Sequence, residues 1–217
     1  MKPLLIIVGA GGHAAVVADA LLAAGEKVLG FTDADPSLHG RMVCGLPVLG
    51  DDRVLDSYTP RTLVLVNGIG GAGSAGGEPL RHRVQLRLAA QGWQFAAVRH
   101  PSAVVSPYAR IHPGTQLLAA SVVQPGAEIG EGAIINTAAV IEHDTVIGTW
   151  THVAPRGLLC GNVVLGARCH IGAGAVVRQG LRLGEDTVVG AGAVVVRDFG
   201  GNGLLVGVPA RVVERKP

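Results

Sequence analysis

A strict six-residue period governs the second half of the chain. From Val105 to Val195, every sixth residue is Val, Ile or Leu, with no break in register over sixteen positions. Four residues after each of these positions the side chain is usually small, as at Ala109, Thr115 and Ala127. The period is neither the roughly 3.6 residues of an α-helix nor the alternation of an isolated strand. A fixed period over so long a stretch indicates a repeat architecture.

The period predicts a prism of short strands. If one large and one small residue point inward in every hexapeptide, three hexapeptides close a triangular coil, and stacked coils hydrogen-bond along the axis. Sixteen hexapeptides then give about five coils, with the apolar residues forming ladders inside. The ladders also explain a composition of 33 glycines and only 3% aromatic residues, because Val, Ile and Leu replace aromatic bulk in the core.

The first hundred residues follow a different pattern, in which apolar runs alternate with helical segments. KPLLIIVG, KVLGFTD, TLVLVNG and WQFAAVRH are typical of strands, and HAAVVADALLAAG and PLRHRVQLRLAAQG are typical of helices. This alternation predicts a parallel sheet with right-handed crossovers, about half the size of a full dinucleotide-binding fold. We therefore predict an α/β, half-Rossmann domain over residues 1–100 and an all-β domain over residues 101–217.

Charge and cysteine content exclude several classes of function. The net charge of +2 gives no reason to expect binding to nucleic acid or to a membrane surface. The three cysteines have no CxxC spacing, so they indicate neither a disulfide framework nor a zinc site. No apolar run approaches the ~20 residues that span a bilayer. These features predict a soluble cytoplasmic protein without a metal.

A glycine-rich motif, GAGGHA at residues 9–14, lies between the first predicted strand and the first predicted helix. Glycines at this place let backbone N–H groups approach a phosphate at the helix N-terminus. Together with Asp33, about twenty residues later, the motif matches the dinucleotide fingerprint, so an NAD-binding protein is one alternative. The domain has too few βα units for both halves of a dinucleotide, which favours a mononucleotide that carries a sugar.

Four motifs, taken in order, carry a resemblance to a known family: GAGGH, VRHPSAVVSP, INTAAVIEHD and VGVPARVV. The chain resembles the bacterial nucleotide-sugar N-acetyltransferases of the hexapeptide-repeat superfamily, of the bacillosamine and perosamine type, to which sialic acid O-acetyltransferases are related. The resemblance implies a left-handed parallel β-helix, a homotrimer, and acetyl-CoA in the groove between neighbouring prisms. It also implies direct acetyl transfer to the 4-amino group of a nucleotide-linked 4-amino-4,6-dideoxyhexose.

The resemblance assigns the reacting end of the site. His143 occupies the position of the family's catalytic histidine, as a base or as a group that orients the amine. A carboxylate would hold its ring, and both Asp144 and Glu142 are candidates. His152 matches an acetyl-CoA contact. The family also places small residues where the backbone meets the CoA chain, and the matching positions are Gly161, Ala173 and Ala191.

The resemblance assigns a second group of residues to the nucleotide sugar. Gly11, Gly12 and His13 would meet the diphosphate or the sugar, and Asp33 with Asp35 would meet the base or the ribose. Three further candidates complete the group: Gly68 in the nucleotide pocket, and Asn136 and Thr137 as hydrogen-bond donors to the sugar or the carbonyl. A basic C-terminal segment, which either neutralises CoA phosphates or is solvated, contains Arg211, Arg215 and Lys216.

The sequence is also consistent with two alternative functions. One is O-acetylation of a sialic-acid-like sugar, or transfer of another acyl group. The other is an NAD-binding or nucleotide-binding protein whose β-helix serves only for trimerisation.

Overall fold

The computed structural model describes residues 3–71 and 79–213. Contacts between Cα atoms divide the chain into two compact units, one with the residues up to Gly71 and Leu80–Pro101, and one with the chain from Ser102 on. In the described ranges, no helix has the length and apolar character that crossing a membrane requires.

The first unit is an α/β layer structure. Its elements are β1 (Leu4–Val8), α1 (Gly12–Ala23), β2 (Lys27–Thr32), β3 (Met42–Val43), β4 (Leu46–Gly50), β5 (Leu63–Asn67), α2 (Leu80–Ala89) and β6 (Val98–Arg99), with short 3-10 helices at Pro36–Leu38 and Asp52–Ser57. The sheet order is β3-β4-β2-β1-β5, and all neighbours are parallel except β3 and β4. The parallel strands end at one edge of the sheet, which is where α/β folds bind ligands.

The first helix covers the sheet with one apolar face. Ala14, Val17, Ala18 and Leu21 are buried, at the helical spacing of three and four residues. The helix ends before Gly25, whose φ of 68° is the left-handed conformation typical of a helix C-terminus. The predicted strands and helices of this half are confirmed with two differences.

Both differences concern elements of only a few residues. The segment WQFAAVRH forms only one isolated bridge, between Leu65 and Phe95, and the two-residue β6 instead of a full strand. The β3–β4 hairpin was not predicted. Its turn has positive φ angles at Cys44 and Gly45. Gly45 is the only residue of this pair that is typical of such a turn, so the sequence gives little indication of the hairpin.

The second unit is built from very short strands that recur every six residues. They are β7 (Val104–Val105), β8 (Arg110–Ile111), β9 (Gln116–Leu117), β10 (Val122–Val123), β11 (Glu128–Ile129), β12 (Ile134–Ile135), β13 (Val140–Ile141), β14 (Val146–Ile147), β15 (His152–Val153), β16 (Leu158–Leu159), β17 (Val164–Leu165), β18 (His170–Ile171), β19 (Val176–Val177), β20 (Arg182–Leu183), β21 (Thr187–Val189) and β22 (Val194–Val195). An antiparallel pair, β23 (Gly203–Val206) and β24 (Arg211–Val213), follows them.

These strands pair with every third strand along the chain and form three parallel faces. Val122, for example, pairs with Val104 and with Val140. The faces run β7-β10-β13-β16-β19-β22, β8-β11-β14-β17-β20 and β9-β12-β15-β18-β21. Three hexapeptides therefore make one coil, as predicted, and this half has the left-handed parallel β-helix fold expected from the sequence.

The core of the prism consists of the predicted ladder. From Leu117 to Val195 each ladder residue is at most 3% exposed, and the small residues between them, such as Ala127 and Ala133, are also buried. Only the first two ladder residues, Val105 and Ile111, are partly uncovered.

Residues with positive φ lie at the turns between the faces of the prism, here called its corners. One corner stacks Gly126, Asp144, Asn162 and Gly180, with φ angles of 75°, 57°, 60° and 71°. Asp and Asn tolerate this conformation better than most non-glycine residues. The repeat therefore brings the residues around position 143 to a corner.

Candidate active site

His143 and Asp144 form a hydrogen-bonded pair in the turn between β13 and β14. The ring Nδ1 lies 2.8 Å from Asp144 Oδ2, and the two side chains are 57% and 60% exposed. An ionised carboxylate only accepts hydrogen bonds, so Nδ1 donates and Nε2 is left with its lone pair. A neutral imidazole in this tautomer can accept a proton from a substrate at Nε2.

The neighbouring Glu142 is placed differently. Its backbone N–H donates to Leu159 O at 3.0 Å, and its side chain lines the same cavity as His143. Within the described residues, its carboxylate makes no hydrogen bond to the ring. Of the two candidate carboxylates, the geometry pairs Asp144 with His143.

A cavity of about 460 Å³ adjoins the His143 ring. Its lining comes from consecutive coils and consists of Glu142, His143, Cys160, Gly161, Asn162 and Gln179. Cys160, Asn162 and Gln179 were not among the sequence candidates. A step of one or two coils from residues 142–144 would have found them, because strand pairs such as Ile141 with Leu159 stack one coil on the next.

Gly161 makes room for the catalytic candidate. A Cβ atom at this position would lie 2.5 Å from His143 Nε2 and 2.6 Å from its Cε1. The resemblance places Gly161 against the CoA chain. In this structure the lack of a side chain serves the imidazole ring, which lies over the glycine.

His152 belongs to another face of the prism. Its Nε2 lies 3.1 Å from Asn136 Nδ2, and Asn136 Oδ1 accepts the backbone N–H of Thr137 at 2.7 Å. The His152 ring also meets His170 edge-on, with 5.1 Å between ring centroids. The structure brings three predicted residues together here, although the lining of the His143 cavity does not include them.

Ala173 and Ala191 are exposed and lie one coil apart, since Gly192 N donates to Ala173 O at 2.9 Å. They do not line the His143 cavity either. Both remain predictions for the CoA chain.

A second cavity, of about 470 Å³, lies in the first unit. Its lining includes five predicted residues: Gly11, Gly12, His13, Asp33 and Gly68. The N-terminus of α1 contributes to its wall, and a Cβ at either Gly11 or Gly12 would meet nothing within 4 Å. An open helix N-terminus with its partial positive charge suits a phosphate group.

Asp33 organises the rim of this cavity. Its Oδ2 accepts the Ala10 N–H at 2.7 Å and its Oδ1 accepts the Asp35 N–H at 2.9 Å. Asp33 therefore supports the glycine loop as well as lining the cavity. Asp35 does not line the cavity; it caps the turn at Pro36–Leu38, and the Ser37 N–H holds the pKa of its carboxyl below the usual range.

Three polar residues of this cavity were missed. Thr32 Oγ1 donates to Asp52 Oδ1 at 2.8 Å, and Arg87 forms an ion pair with the other oxygen of Asp52. Thr32 ends β2 and Asp52 follows β4, so both lie at the carboxyl ends of parallel strands. That placement in the sequence could have identified both residues as candidates for the cavity. Arg87 lies 35 residues further along the chain, and no local pattern connects it to Asp52.

Gly68 closes the end of β5. A Cβ there would lie 2.5 Å from Ile7 Cγ2 and 2.9 Å from Ala14 Cβ, so tight packing already explains the glycine.

Arg211 is exposed on β24, where it donates to Ala210 O. Arg215, Lys216 and residues 72–78 of the glycine-rich loop lie outside the described residues. Among the described residues, no group of three or more His, Cys, Asp or Glu side chains could hold a metal ion.

Two family models match the chain. The PglD N-terminal domain matches residues 4–73, and the bacterial transferase hexapeptide model, with six repeats, matches residues 162–197. In a sequence search, no curated protein matched the chain.

Solved structures match over nearly the whole length. A histidine-to-alanine mutant of GDP-perosamine N-acetyltransferase from Caulobacter crescentus, in complex with CoA and GDP-perosamine, is 40% identical over 97% of both chains, with a TM-score of 0.89. The acetyltransferase domain of PglB from Neisseria gonorrhoeae, in complex with acetyl coenzyme A, is 33% identical over 98% of this chain and 100% of its own, with a TM-score of 0.89. WeeI from Acinetobacter baumannii is 25% identical over 98% of this chain and 100% of its own, with a TM-score of 0.82.

Proposed function

We propose a specific reaction for this chain, which belongs to the family of hexapeptide-repeat N-acetyltransferases that act on nucleotide-linked amino sugars. The reaction is transfer of the acetyl group of acetyl-CoA to the 4-amino group of a nucleotide-linked 4-amino-4,6-dideoxyhexose. The observation that carries the proposal is the His143–Asp144 pair beside an open cavity of the prism. The 40% identity to an enzyme crystallised with CoA and GDP-perosamine supports the substrate class. No observation favours the O-acetyltransferase or the NAD-binding alternative.

The chemistry follows from the free Nε2 of His143. The amine nitrogen attacks the thioester carbonyl while Nε2 takes one of the amine protons, which gives a tetrahedral intermediate. The C–S bond then breaks, and the imidazolium returns its proton to the departing thiolate. Asp144 keeps Nδ1 protonated throughout and stabilises the positive charge of the ring. The product is an amide and free CoA, with no acyl-enzyme and no metal.

We assign the nucleotide to the domain of residues 1–100 and the acetyl transfer to the domain of residues 101–217. The cavity of the first unit offers the N-terminus of α1 at Gly11, Gly12 and His13 for the diphosphate. Asp33 and the Asp52–Arg87 pair present an acceptor and a donor for the edge of the base or the ribose. In the prism, His152, Gly161 and the exposed Ala173 and Ala191 remain the candidates for acetyl-CoA, and Asn136 and Thr137 remain the candidates for the sugar or the carbonyl.

A homotrimer is supported by one face of the prism. On the face formed by β7, β10, β13, β16, β19 and β22, the residue that precedes each ladder position points outward. All of these residues are apolar: Val104, Val122, Val140, Leu158, Val176 and Val194. Val104 is 64% exposed and the other five are half-buried. An apolar column of this length fits copies of the same prism, with acetyl-CoA in the groove between them.

We place the reaction in the cytoplasm. Cys44, Cys160 and Cys169 are all free, which fits a reducing compartment.

The proposal is tested by following thiol release from acetyl-CoA with a panel of acceptors. The panel contains GDP- and UDP-linked 4-amino-4,6-dideoxyhexoses, the same sugars without nucleotide, and a sialic-acid-like sugar. We expect thiol release with a nucleotide-linked 4-amino sugar and a severe loss of rate in His143→Ala. His112→Ala is the matched control, because His112 also pairs with a carboxylate, Glu128, on the exposed prism surface. Thiol release with no amino sugar would contradict the proposal, and ping-pong kinetics would contradict direct transfer.

A further inference from the structure

We propose that Gly126 is a positioning residue for His143. The missing side chain at position 126 leaves the space in which the Asp144 carboxylate holds the imidazole ring. The proposal rests on the proposed function, because it requires that His143 take part in the reaction.

Gly126 and Asp144 occupy the same corner in consecutive coils. Asp144 N donates to Pro125 O at 3.1 Å, which fixes one coil on the other beside the two residues. A Cβ atom at Gly126 would lie 2.3 Å from Asp144 Oδ1 and 3.3 Å from its Cγ. Real Cβ atoms do not approach other heavy atoms to 2.3 Å, so a side chain at 126 and the present carboxylate position exclude each other.

The carboxylate is the part that has to move. The backbone of the turn is held by the bond from Asp144 N to Pro125 O and by the bond from Asn162 N to His143 O at 2.9 Å. Relief of the contact needs a shift of about 1 Å, judged from ordinary C···O separations. The two oxygens belong to one rigid planar group, so a rotation or shift that takes Oδ1 out of the contact also displaces Oδ2 from the hydrogen bond of 2.8 Å to His143 Nδ1. The side chains of the pair are more than half exposed, so the surrounding protein restrains the ring only in part.

Backbone conformation alone does not account for this glycine. Gly126 has a φ of 75°, but the corners of the same prism hold alanine at Ala120 and Ala138 with φ angles of 56° and 55°. The prism therefore accepts a Cβ at a corner where nothing stands in its way. At Gly126 the Asp144 carboxylate stands in its way.

The experiment compares Gly126→Ala with Gly45→Ala. Gly45 has the same φ of 75°, and a Cβ there would meet nothing within 4 Å, so this control carries the cost of the left-handed backbone without the contact. Kinetics are measured with acetyl-CoA and the nucleotide sugar. We expect kcat to fall about tenfold in Gly126→Ala with the KM values unchanged, as for loss of an orienting partner. Gly45→Ala should keep the wild-type kcat.

A double-mutant cycle with Asp144→Asn separates positioning from general damage. If Gly126 acts through Asp144, Gly126→Ala adds no further loss in the Asp144→Asn background. Losses that multiply would overturn the proposal, as would a wild-type kcat in Gly126→Ala. A wild-type rate in His143→Ala would instead overturn the proposed function.

A second variant covers the case in which Gly126→Ala folds poorly. Gly126→Asn adds the same Cβ as Gly126→Ala, but asparagine tolerates a positive φ better than alanine. Gly45→Asn is its control. Melting curves of all four variants are recorded beside the kinetics. Equal kcat values in the folded Gly126→Asn and Gly45→Asn proteins would also refute a positioning role.

Discussion

Replacing Asp144 by Asn tests how the His143 ring is held. Asparagine keeps the shape of the side chain and tolerates the φ of 57° at this position. Unlike the carboxylate, its amide can also donate a hydrogen bond to Nδ1. That bond favours the tautomer with the proton on Nε2, in which the ring cannot accept the proton of the amine.

The expected loss is moderate. Partners that orient a functional histidine contribute about 10- to 100-fold. The two side chains here are 57% and 60% exposed, so water replaces part of the lost interaction and the lower end applies. We therefore expect kcat to fall by about tenfold, the equivalent of about 1.4 kcal/mol in activation free energy, with the KM for acetyl-CoA unchanged.

The assay is steady-state thiol release, and Glu142→Gln is the comparison. Glu142→Gln removes the same charge one residue from His143, but among the described residues Glu142 makes no hydrogen bond to the ring. Its loss of kcat should be clearly smaller than that of Asp144→Asn. An unchanged kcat in Asp144→Asn, or a larger loss in Glu142→Gln, would refute the assignment of Asp144 as the orienting carboxylate.

Three further outcomes follow from the packing. Gly161→Ala puts a Cβ 2.5 Å from His143 Nε2, so kcat should fall by about 100-fold through misplacement of the ring, and a wild-type kcat would show that the ring does not need this space. Ile141→Ala, at a fully buried ladder position, should lower the free energy of unfolding by about 2–5 kcal/mol, whereas Val146→Ala, 37% exposed on the next strand, should cost under about 1 kcal/mol; equal shifts in denaturation midpoint would contradict the ladder. Burial raises the pKa of the Cys169 thiol to about 11. The buried neutral thiol therefore stabilises the fold fully below pH 9, the pKa of an exposed thiol, and this stabilisation is lost as the pH rises from 9 to about 11. In the folded protein at pH 8, iodoacetamide should modify the exposed Cys44 and spare Cys169, and mass spectrometry that finds both modified at equal rates would contradict this.

The sequence predicted the prism well because its geometry repeats. An inward position such as Ile135 or Ile141 must be apolar in every coil, so the period in the sequence is the period in space. The α/β half was predicted less completely. The short β3–β4 hairpin and the bridge at Phe95 depend on single turns and edge contacts, which leave no periodic pattern.

In the site, too, the features that follow from the repeat could be predicted and those that depend on single contacts could not. The position of His143 at a corner follows from the repeat, but the choice between Asp144 and Glu142 depends on where each side chain points. The direction of each side chain has no signature in the sequence. The contact between Asp52 and Arg87 joins residues far apart in the sequence, and the close approach of Gly161 to the imidazole joins two coils. Neither contact has a local signature in the sequence.

The most direct test of the account is the product formed from acetyl-CoA and a nucleotide-linked 4-amino-4,6-dideoxyhexose. Mass spectrometry should find the nucleotide sugar heavier by one acetyl group, with the acetyl on the 4-amino nitrogen by NMR and one thiol released for each product. The same incubation with His143→Ala should give little or none of it. An unmodified sugar, or an acetyl group on a hydroxyl oxygen, would contradict the account.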